Sequence, residues 1–228
     1  MTSIFQTAMG SDFDRLHPRL QRRFSVGLAG GEACVGRGTM NRVWHRGGGW
    51  VRPFLALGAT RHVLVSRADR DVPFVIENYP YADCYGRETV TFGRTFMFPH
   101  AEPARWDATM IYSPARGCIV DYLGTHQHLA TDLEFTAGSD GSLTIRSTEH
   151  RFREGPVDVR VPHLIGADAT VRESYDEAVD RYRIEVSVAN RRFGPLFGYE
   201  GSFDVEYIDI AEHAMPAALR PVREEARE

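Results

Sequence analysis

The chain has 228 residues, of which 43% are hydrophobic and 25% are charged, and its formal net charge is −4. This composition suits one domain with a substantial core, and the acidic balance gives no electrostatic basis for nucleic-acid binding. All 27 basic residues are arginine, which excludes a Schiff-base lysine, a pyridoxal phosphate lysine and a P-loop. The three widely spaced cysteines, Cys34, Cys84 and Cys118, favour free thiols in a reducing, cytoplasmic environment.

Residues 1–22 are predicted to form a short helical segment. Apolar residues recur there at spacings of three and four between Ile4 and Leu20. Gly10 interrupts this pattern, and Pro18 suits the first position of a second helix. The early charges argue against a signal peptide, and no apolar run is long enough to predict a membrane-spanning helix.

Residues 23–210 are predicted to form an all-β, antiparallel barrel of roughly ten strands that resembles lipocalins and other calycins. The apolar pattern changes to period two from Phe24 onward, and turn residues, with a glycine loop at 47–49, separate many short runs. Gly36 and Gly38 indicate a bulge, a bend or a close backbone approach. The predicted strands are 34–44, 61–66, 72–78, 87–98, 106–113, 117–123, 126–136, 142–153, 157–161, 168–175, 181–189 and 198–210.

Residues 211–228 are rich in alanine, arginine and glutamate and are predicted to form a short helix or a frayed tail. The charged residues 222–228 are interpreted as a solvated end. With the helical segment lying across one end of the barrel, the whole chain, 1–228, is interpreted as a single domain.

The segment between Cys118 and Phe135 contains the two histidines with the greatest chemical potential. Residues i and i+2 of a strand share a face, so His126 and His128 are expected to project together beside Asp132 and Glu134. Neutral imidazoles with a carboxylate suit iron, zinc, copper or nickel, which makes His126, His128 and Glu134 the alternative metal set. The cupin pattern is the nearest analogy, but its second motif is absent, and a third histidine would have to come from His100, His150 or His163. The preferred interpretation is therefore a polar strand face that binds neither a metal nor another cofactor.

Asp121 and Tyr122 come just before the histidines. If the strand continues unbent, Tyr122 shares a face with His126, and such a group could transfer protons in a dry pocket. The alternative is a core tyrosine whose hydroxyl is hydrogen-bonded. Gln127 lies on the opposite face and must also be hydrogen-bonded if it is buried. The candidate catalytic residues are Asp121, Tyr122, His126 and His128.

Arg94 lies between Phe92 and Phe96 at period two, so the three side chains are expected to share a face. A buried arginine requires a carboxylate, and Asp107 and Asp121 are the candidate partners. The pair either stabilises the barrel or leaves Arg94 free to clamp a carboxylate or phosphate of a ligand. Most aromatic residues, including Trp44 and Trp50, are expected to be core, and some are expected to line a cavity. The candidate ligand-binding residues are Arg94, Phe96, Trp106, Asp107 and Gln127.

Several blocks along most of the chain resemble one bacterial family, the domain of unknown function 4166. They are Ser3–Gln6, Gly10-Ser-Asp-Phe-Asp-Arg-Leu-His-Pro18, Val35–Met40, Val72–Tyr79, Gly86–Phe96, Trp106–Tyr112, Asp121-Tyr-Leu-Gly-Thr-His-Gln-His-Leu129 and Leu196–Phe203. The resemblance implies no known activity. It implies stand-alone domains or fusions behind a nicotinamide-binding, dehydrogenase-like domain, and hence a dehydrogenase-like protein as a candidate partner. No GxGxxG motif between a strand and a helix is found in this chain.

The leading functional hypothesis is a cytoplasmic barrel that binds a small, largely apolar molecule and converts it without a redox cofactor. Isomerisation, cyclisation or dehydration would fit, with the two histidines and Tyr122 or Asp121 transferring protons and Arg94 orienting the substrate. One alternative is a non-catalytic carrier of a hydrophobic ligand, or an accessory partner of a dehydrogenase. The other is a cupin-like metalloenzyme that uses the two histidines.

Overall fold

The computed structural model describes residues 2–46, 61–162 and 166–228. The expectations for the loop 47–49, for Trp50 and for His163 therefore lie outside the described residues. The helices are α1 (Ile4–Met9), α2 (Pro18–Phe24) and three short 3-10 helices (Gly10–Arg15, Leu28–Gly30, Ala217–Leu219). The strands are β1 (Glu32–His45), β2 (Asp69–Asn78), β3 (Pro80–Ala82), β4 (Glu88–Phe96), β5 (Ala104–Ser113), β6 (Cys118–Leu123), β7 (Leu129–Ala137), β8 (Leu143–Glu154), β9 (Val157–Arg160), β10 (Asp168–Asp176), β11 (Arg181–Asn190) and β12 (Gly194–Asp209).

Ten of these strands form a closed antiparallel barrel, in the order β10, β11, β12, β1, β2, β4, β5, β6, β7, β8. The ring closes where β10 pairs with β8, from Thr170 opposite Arg146 to Glu173 opposite Leu143. The short strands β3 and β9 extend β4 and β8 at the periphery. The predicted all-β, antiparallel barrel with a short N-terminal helical segment is confirmed.

The helical segment closes one end of the barrel. Ser3 and Gln6 form a capping box that satisfies backbone N–H groups at the start of α1. Phe5 on α1 is buried and packs against Phe24 of α2 and against two aromatic residues of the barrel wall, Phe92 and Phe135. Within the described residues, no helix has both the length and the apolar character needed to cross a membrane.

Arg23 of α2 binds this cap to three strands. Its side chain is 1% exposed, and its Nε donates to Glu173 Oε2 on β10 at 2.8 Å. Its Nη1 donates to Asn78 Oδ1 on β2 at 2.8 Å and lies 3.1 Å from Cys34 Sγ on β1. Burial acts to lower the pKa of Arg23, but the charges and hydrogen bonds of Glu173 and Cys34 together more than offset it and raise the pKa above its usual value.

The structure departs from the period-two pattern of the sequence at three places. Residues 24–28 do not extend as a strand, because α2 continues to Phe24 and a 3-10 helix begins at Leu28. Residues 61–66 form no strand, and Val63 and Leu64 instead line the barrel interior. β7 begins only at Leu129, so the two histidines before it lie in a loop.

The glycines of β1 mark a close backbone approach, one of the three predicted alternatives. A Cβ at Gly38 would come within 2.1 Å of the Ser202 carbonyl oxygen on β12. A Cβ at Gly36 would come within 2.6 Å of Ile76 Cγ2 on β2. Any side chain here would force the neighbouring strands apart.

The end of the C-terminal segment, residues 219–228, packs along the outside of the barrel, so the charged residues 222–228 are not a solvated end. Leu219 is 6% exposed and lies over Gly93, where a Cβ would come within 2.2 Å of Leu219 Cδ2. Further on, the Glu225 side chain is 4% exposed and pairs with Arg223 and Arg227. Hydrogen bonds from Arg227 lower the pKa of Glu225 to about 2.

Replacing Arg23 with methionine is expected to destabilise the protein by about 3–5 kcal/mol, because Glu173 would be left as an unpaired buried charge. The control is Arg181→Met, which breaks the Arg181–Asp204 pair, whose side chains are 40% and 59% exposed. That exposed pair should contribute about 1 kcal/mol or less. Urea unfolding of both variants measures the difference, and equal losses would contradict the role given to Arg23.

Candidate functional site

The barrel interior contains a cavity of about 290 Å³. This volume is near the lower end of the roughly 300–1,000 Å³ typical of small-molecule sites. Most of the wall is apolar, with side chains such as Ile76, Met110, Leu133 and Val188. Four polar or amphipathic side chains lie together in this wall, and we call them the cavity cluster: Arg94, Trp106, Asp121 and Tyr199.

Strand alternation and register bring the cavity cluster together. Arg94 points inward from β4 with Phe92, as its period-two position predicts. Trp106 lies directly opposite Arg94 on β5. Asp121 faces inward from β6, opposite Met110 of β5. The Tyr199 ring on β12 contacts Trp106 at a centroid distance of 6.0 Å.

Arg94 is held in place by Trp106. The Arg94 Nε donates to the Trp106 carbonyl oxygen at 3.2 Å, and the guanidinium carbon lies 4.0 Å from the Trp106 ring centroid. This cation–π contact orients the guanidinium inside an apolar wall. It does not neutralise the charge, and no carboxylate among the described residues forms an ion pair with Arg94 within 4 Å.

Asp121 is the most strongly perturbed carboxyl group of the cavity. It is 7% exposed, and burial raises its pKa to about 7, although the charge of Arg94 acts in the opposite direction. Within the described residues its Oδ1 has no hydrogen-bond partner. A carboxyl group with this pKa is protonated in part of the molecules near neutral pH and can therefore donate or accept a proton.

Two other polar atoms of the cavity cluster are buried without partners among the described residues. They are Trp106 Nε1 and the Tyr199 hydroxyl oxygen. Burial raises the pKa of the Tyr199 phenol, so this group stays neutral and can donate. Each unsatisfied buried polar group costs about 1–3 kcal/mol, and three of them in one cavity call for a functional explanation.

His126 and His128 do lie side by side, but in a loop. Their rings stack at a centroid distance of 5.5 Å and an angle of 21°. Gly124 and Gln127 have positive φ angles of 73° and 54°, which end β6 and turn the chain before β7. The loop lies at the end of the barrel opposite the helical segment, and neither histidine lines the cavity.

The surroundings of the two rings are charged. His128 Nε2 lies 2.6 Å from Arg61 Nη1, and its Nδ1 lies 2.7 Å from Glu154 Oε2. Desolvation, with the nearby charge of Arg61, lowers the pKa of His126. These contacts occupy the nitrogen atoms of His128 that a metal ion would need.

The structure does not bring the alternative metal set together. Glu134 lies six residues beyond His128, is exposed, and is opposite Arg146 in the ladder with β8. Asp132 is also directed elsewhere, since it binds Arg116 and Arg151. In the part of the chain that the structure describes, no group of three His, Cys, Asp or Glu side chains is arranged to hold a metal ion.

Two of the predicted site residues hold the C-terminal segment instead of facing the cavity. Tyr122 is fully buried on the outer face of β6, and its hydroxyl donates to the Arg227 carbonyl oxygen at 2.8 Å. Gln127 donates to Thr109 Oγ1 at 2.7 Å and accepts from the Glu225 N–H at 2.6 Å. Gln127 is thus both buried and hydrogen-bonded, as a buried glutamine side chain must be.

Asp107 also faces outward. Its carboxylate lies 2.6 Å from His62 Nδ1 and 3.0 Å from Arg105 Nη2, so it is not the partner of Arg94. Phe96 faces inward and packs against Tyr199 at a centroid distance of 5.1 Å, next to the cavity cluster. Tyr199 was missed by the sequence analysis, although its alternation with Phe197 along β12 indicated an inward-facing position.

Comparison with known proteins places this fold in a family. The profile of the family described as "Domain of unknown function (DUF4166)" matches residues 16–203. The chain is also 33% identical over 207 residues to "Uncharacterized protein YndH" of Bacillus subtilis (strain 168), covering 90% of this chain and 98% of that protein. The chain belongs to the DUF4166 family. No solved structure matches it.

In this DUF4166 protein, replacing Asp121 with asparagine is expected to increase stability at high pH. In the unfolded chain the carboxyl ionises near pH 4, whereas in the folded chain it resists ionisation up to about pH 7. The stability that this carboxyl group contributes is therefore lost as the pH rises from about 4 to about 7, and no more is lost at higher pH. Asparagine cannot ionise, so the advantage of Asp121→Asn should grow over this range to about 4 kcal/mol, for a shift of about three units.

Urea unfolding of both proteins between about pH 4 and pH 9 measures this difference. Asp107→Asn, which alters an outward-facing carboxylate, serves as the control and should show no comparable growth. An advantage of Asp121→Asn that does not change with pH would contradict a raised pKa.

Proposed function

We propose that this protein binds a small, largely apolar molecule inside its barrel, with the polar end of the ligand at the cavity cluster. The observation that supports this proposal most directly is the set of three partnerless buried atoms on Trp106, Asp121 and Tyr199. A ligand oxygen at this point would accept the hydrogen bonds that these groups lack. The apolar remainder of the wall suits a hydrocarbon or aromatic body.

We further propose that Asp121 acts as a general acid toward this ligand oxygen. Isomerisation, cyclisation and dehydration can each begin with proton transfer to an oxygen, and none of them needs a redox cofactor. Burial gives Asp121 a pKa of about 7, which suits proton transfer at neutral pH. Arg94 and Trp106 would orient the oxygen against it.

This proposal keeps Asp121 and Arg94 in the roles that the sequence suggested and moves proton transfer away from the histidine loop. His126 and His128 do not line the cavity, so the proposal gives them no contact with a molecule bound at the cavity cluster. Tyr122 lies on the opposite face of β6 from Asp121 and is covered by the C-terminal segment.

The first test is mass spectrometry of small molecules released from the purified protein. We expect a compound with an apolar body and at least one oxygen, present at close to one equivalent. In Arg94→Gln the retained amount should fall at least tenfold, since a buried charge-assisted contact contributes about 1.5–3 kcal/mol. Arg105→Gln is the control, because Arg105 lies on the outer face and pairs with Asp107.

The second test separates the cavity from the histidine loop. The double variant His126→Ala/His128→Ala is expected to retain the ligand of the wild-type protein, whereas Asp121→Asn is expected to lose turnover. If the double variant folds and loses the ligand while Asp121→Asn retains both ligand and turnover, the site lies in the loop and the proposal is wrong.

A non-catalytic carrier is the second candidate function. The predominantly apolar wall of the cavity favours it, because hydrophobic burial alone can retain a ligand. In that case the protein would deliver its ligand to another protein, such as the dehydrogenase-like partner that the family resemblance suggests. A ligand that copurifies and is returned unchanged after long incubation would favour the carrier over the enzyme.

A further inference from the structure

We propose that the cavity recognises its ligand as an oxyanion, namely a carboxylate or the enolate oxygen of a carbonyl compound. The inference rests on the proposed function and adds the charge and chemical class of the ligand. It follows from three properties of the described cavity wall, which are its hydrogen-bond donors, its charge balance and its volume.

The cavity cluster presents hydrogen-bond donors to a bound ligand. Arg94 and the Trp106 indole nitrogen can only donate hydrogen bonds. The Tyr199 hydroxyl is buried and neutral, and it has no acceptor among the described residues. Asp121 is also a donor when it is protonated. The head group that satisfies all four must therefore accept hydrogen bonds, which an oxygen atom with negative charge does most strongly.

The charge balance favours an anion. Among the described residues that line the cavity, Arg94, Asp121, His150 and Glu173 can carry charge. Glu173 is neutralised by Arg23 at 2.8 Å. His150 is engaged with Thr131 on one side and with Asp168 at 3.1 Å on the other.

Arg94 is therefore balanced only by Asp121, whose charged form is disfavoured by burial. When Asp121 is protonated, Arg94 is a buried cation without a counter-ion, which costs several kcal/mol. A ligand oxyanion would supply the missing charge. It would also favour the protonated form of Asp121, because a second negative charge nearby raises the pKa of a carboxyl group.

The same groups suit an enolate. A tyrosine hydroxyl and a protonated aspartic acid in an apolar site form the oxyanion hole of ketosteroid isomerase. Donors fixed around a developing negative charge stabilise it without reorganisation. The cavity cluster contains both types of donor, together with an arginine and an indole N–H. A carbonyl compound bound here would thus be stabilised when its oxygen becomes negative.

The volume limits the size of the ligand. At about 30 Å³ for each water-sized group, a cavity of 290 Å³ holds on the order of ten such groups. Octanoate, octanamide and 4-nitrophenol are all of about this size. Octanoate and octanamide have nearly the same shape and differ in charge, so their comparison isolates the effect of the anion. 4-Nitrophenol forms a coloured, delocalised oxyanion that resembles an enolate.

The test measures binding of the three compounds to the full chain by calorimetry and absorbance. Octanoate is expected to bind at least tenfold more tightly than octanamide. Bound 4-nitrophenol is expected to show the absorbance of the phenolate at a pH about one unit below its pKa in solution. Both effects should disappear in Arg94→Gln and weaken in Tyr199→Phe. They should persist in Arg105→Gln and in Tyr182→Phe, since the Tyr182 hydroxyl already donates to the Arg19 carbonyl oxygen.

Binding of the three compounds distinguishes a carboxylate ligand from an enolate and from a neutral ligand. Preference for octanoate without ionisation of 4-nitrophenol supports a carboxylate ligand, and ionised 4-nitrophenol without that preference supports an enolate. If octanamide binds as tightly as octanoate and 4-nitrophenol binds in its neutral form, the oxyanion inference is overturned while the proposed function stands. If none of the three binds and no small molecule copurifies, both are overturned.

Discussion

The buried ion pair between Arg23 and Glu173 is the interaction on which the cavity depends. It joins the helical cap to β10, the strand whose pairing with β8 closes the barrel. Because Glu173 also lines the cavity, the pair removes a negative charge that would otherwise face Arg94. A single contact thus ties the cap to the barrel wall and sets the charge balance inside the barrel. Its loss would leave Glu173 as an unpaired buried charge in the cavity wall.

The inner face of the barrel wall lines the cavity, and the outer face holds the C-terminal segment. Adjacent residues of β6 show this difference most clearly. Asp121 faces the cavity with an unsatisfied oxygen, whereas Tyr122 faces outward and hydrogen-bonds the C-terminal segment. Leu219 covers the outer face at Gly93, on the strand that carries Arg94. The C-terminal segment therefore stabilises the same strands that position the cavity cluster, without contributing a group to it.

Local periodicity accounts for what the sequence could predict. Period-two alternation identified most strands and placed Arg94 and Phe96 on one face, because this property depends only on neighbours in the chain. The sequence predicts a strand at the histidine pair because polar and apolar residues alternate there. The structure forms a tight loop instead, since Gly124 and Gln127 have positive φ angles that the alternation does not reveal. The choice between Asp107 and Asp121 as the neighbour of Arg94 depends on register across β4, β5 and β6, which one sequence does not specify. Alternation with Phe197 indicates that Tyr199 faces inward, but its contact with Trp106, more than ninety residues away in the chain, depends on closure of the barrel.

A contribution to folding stability does not explain why these four side chains lie together in the cavity cluster. Three unsatisfied polar atoms and an arginine without a paired carboxylate weaken the barrel, and apolar side chains of similar volume would stabilise such a site. The same wall satisfies its other polar groups, since Glu173 has Arg23 and His150 has Thr131 and Asp168. Among the described residues of this wall, the unsatisfied groups are thus concentrated at one point among satisfied ones. That pattern supports the proposed ligand as the missing partner, because fixed donors in a buried, largely apolar wall bind a charged oxygen without the cost of reorganising.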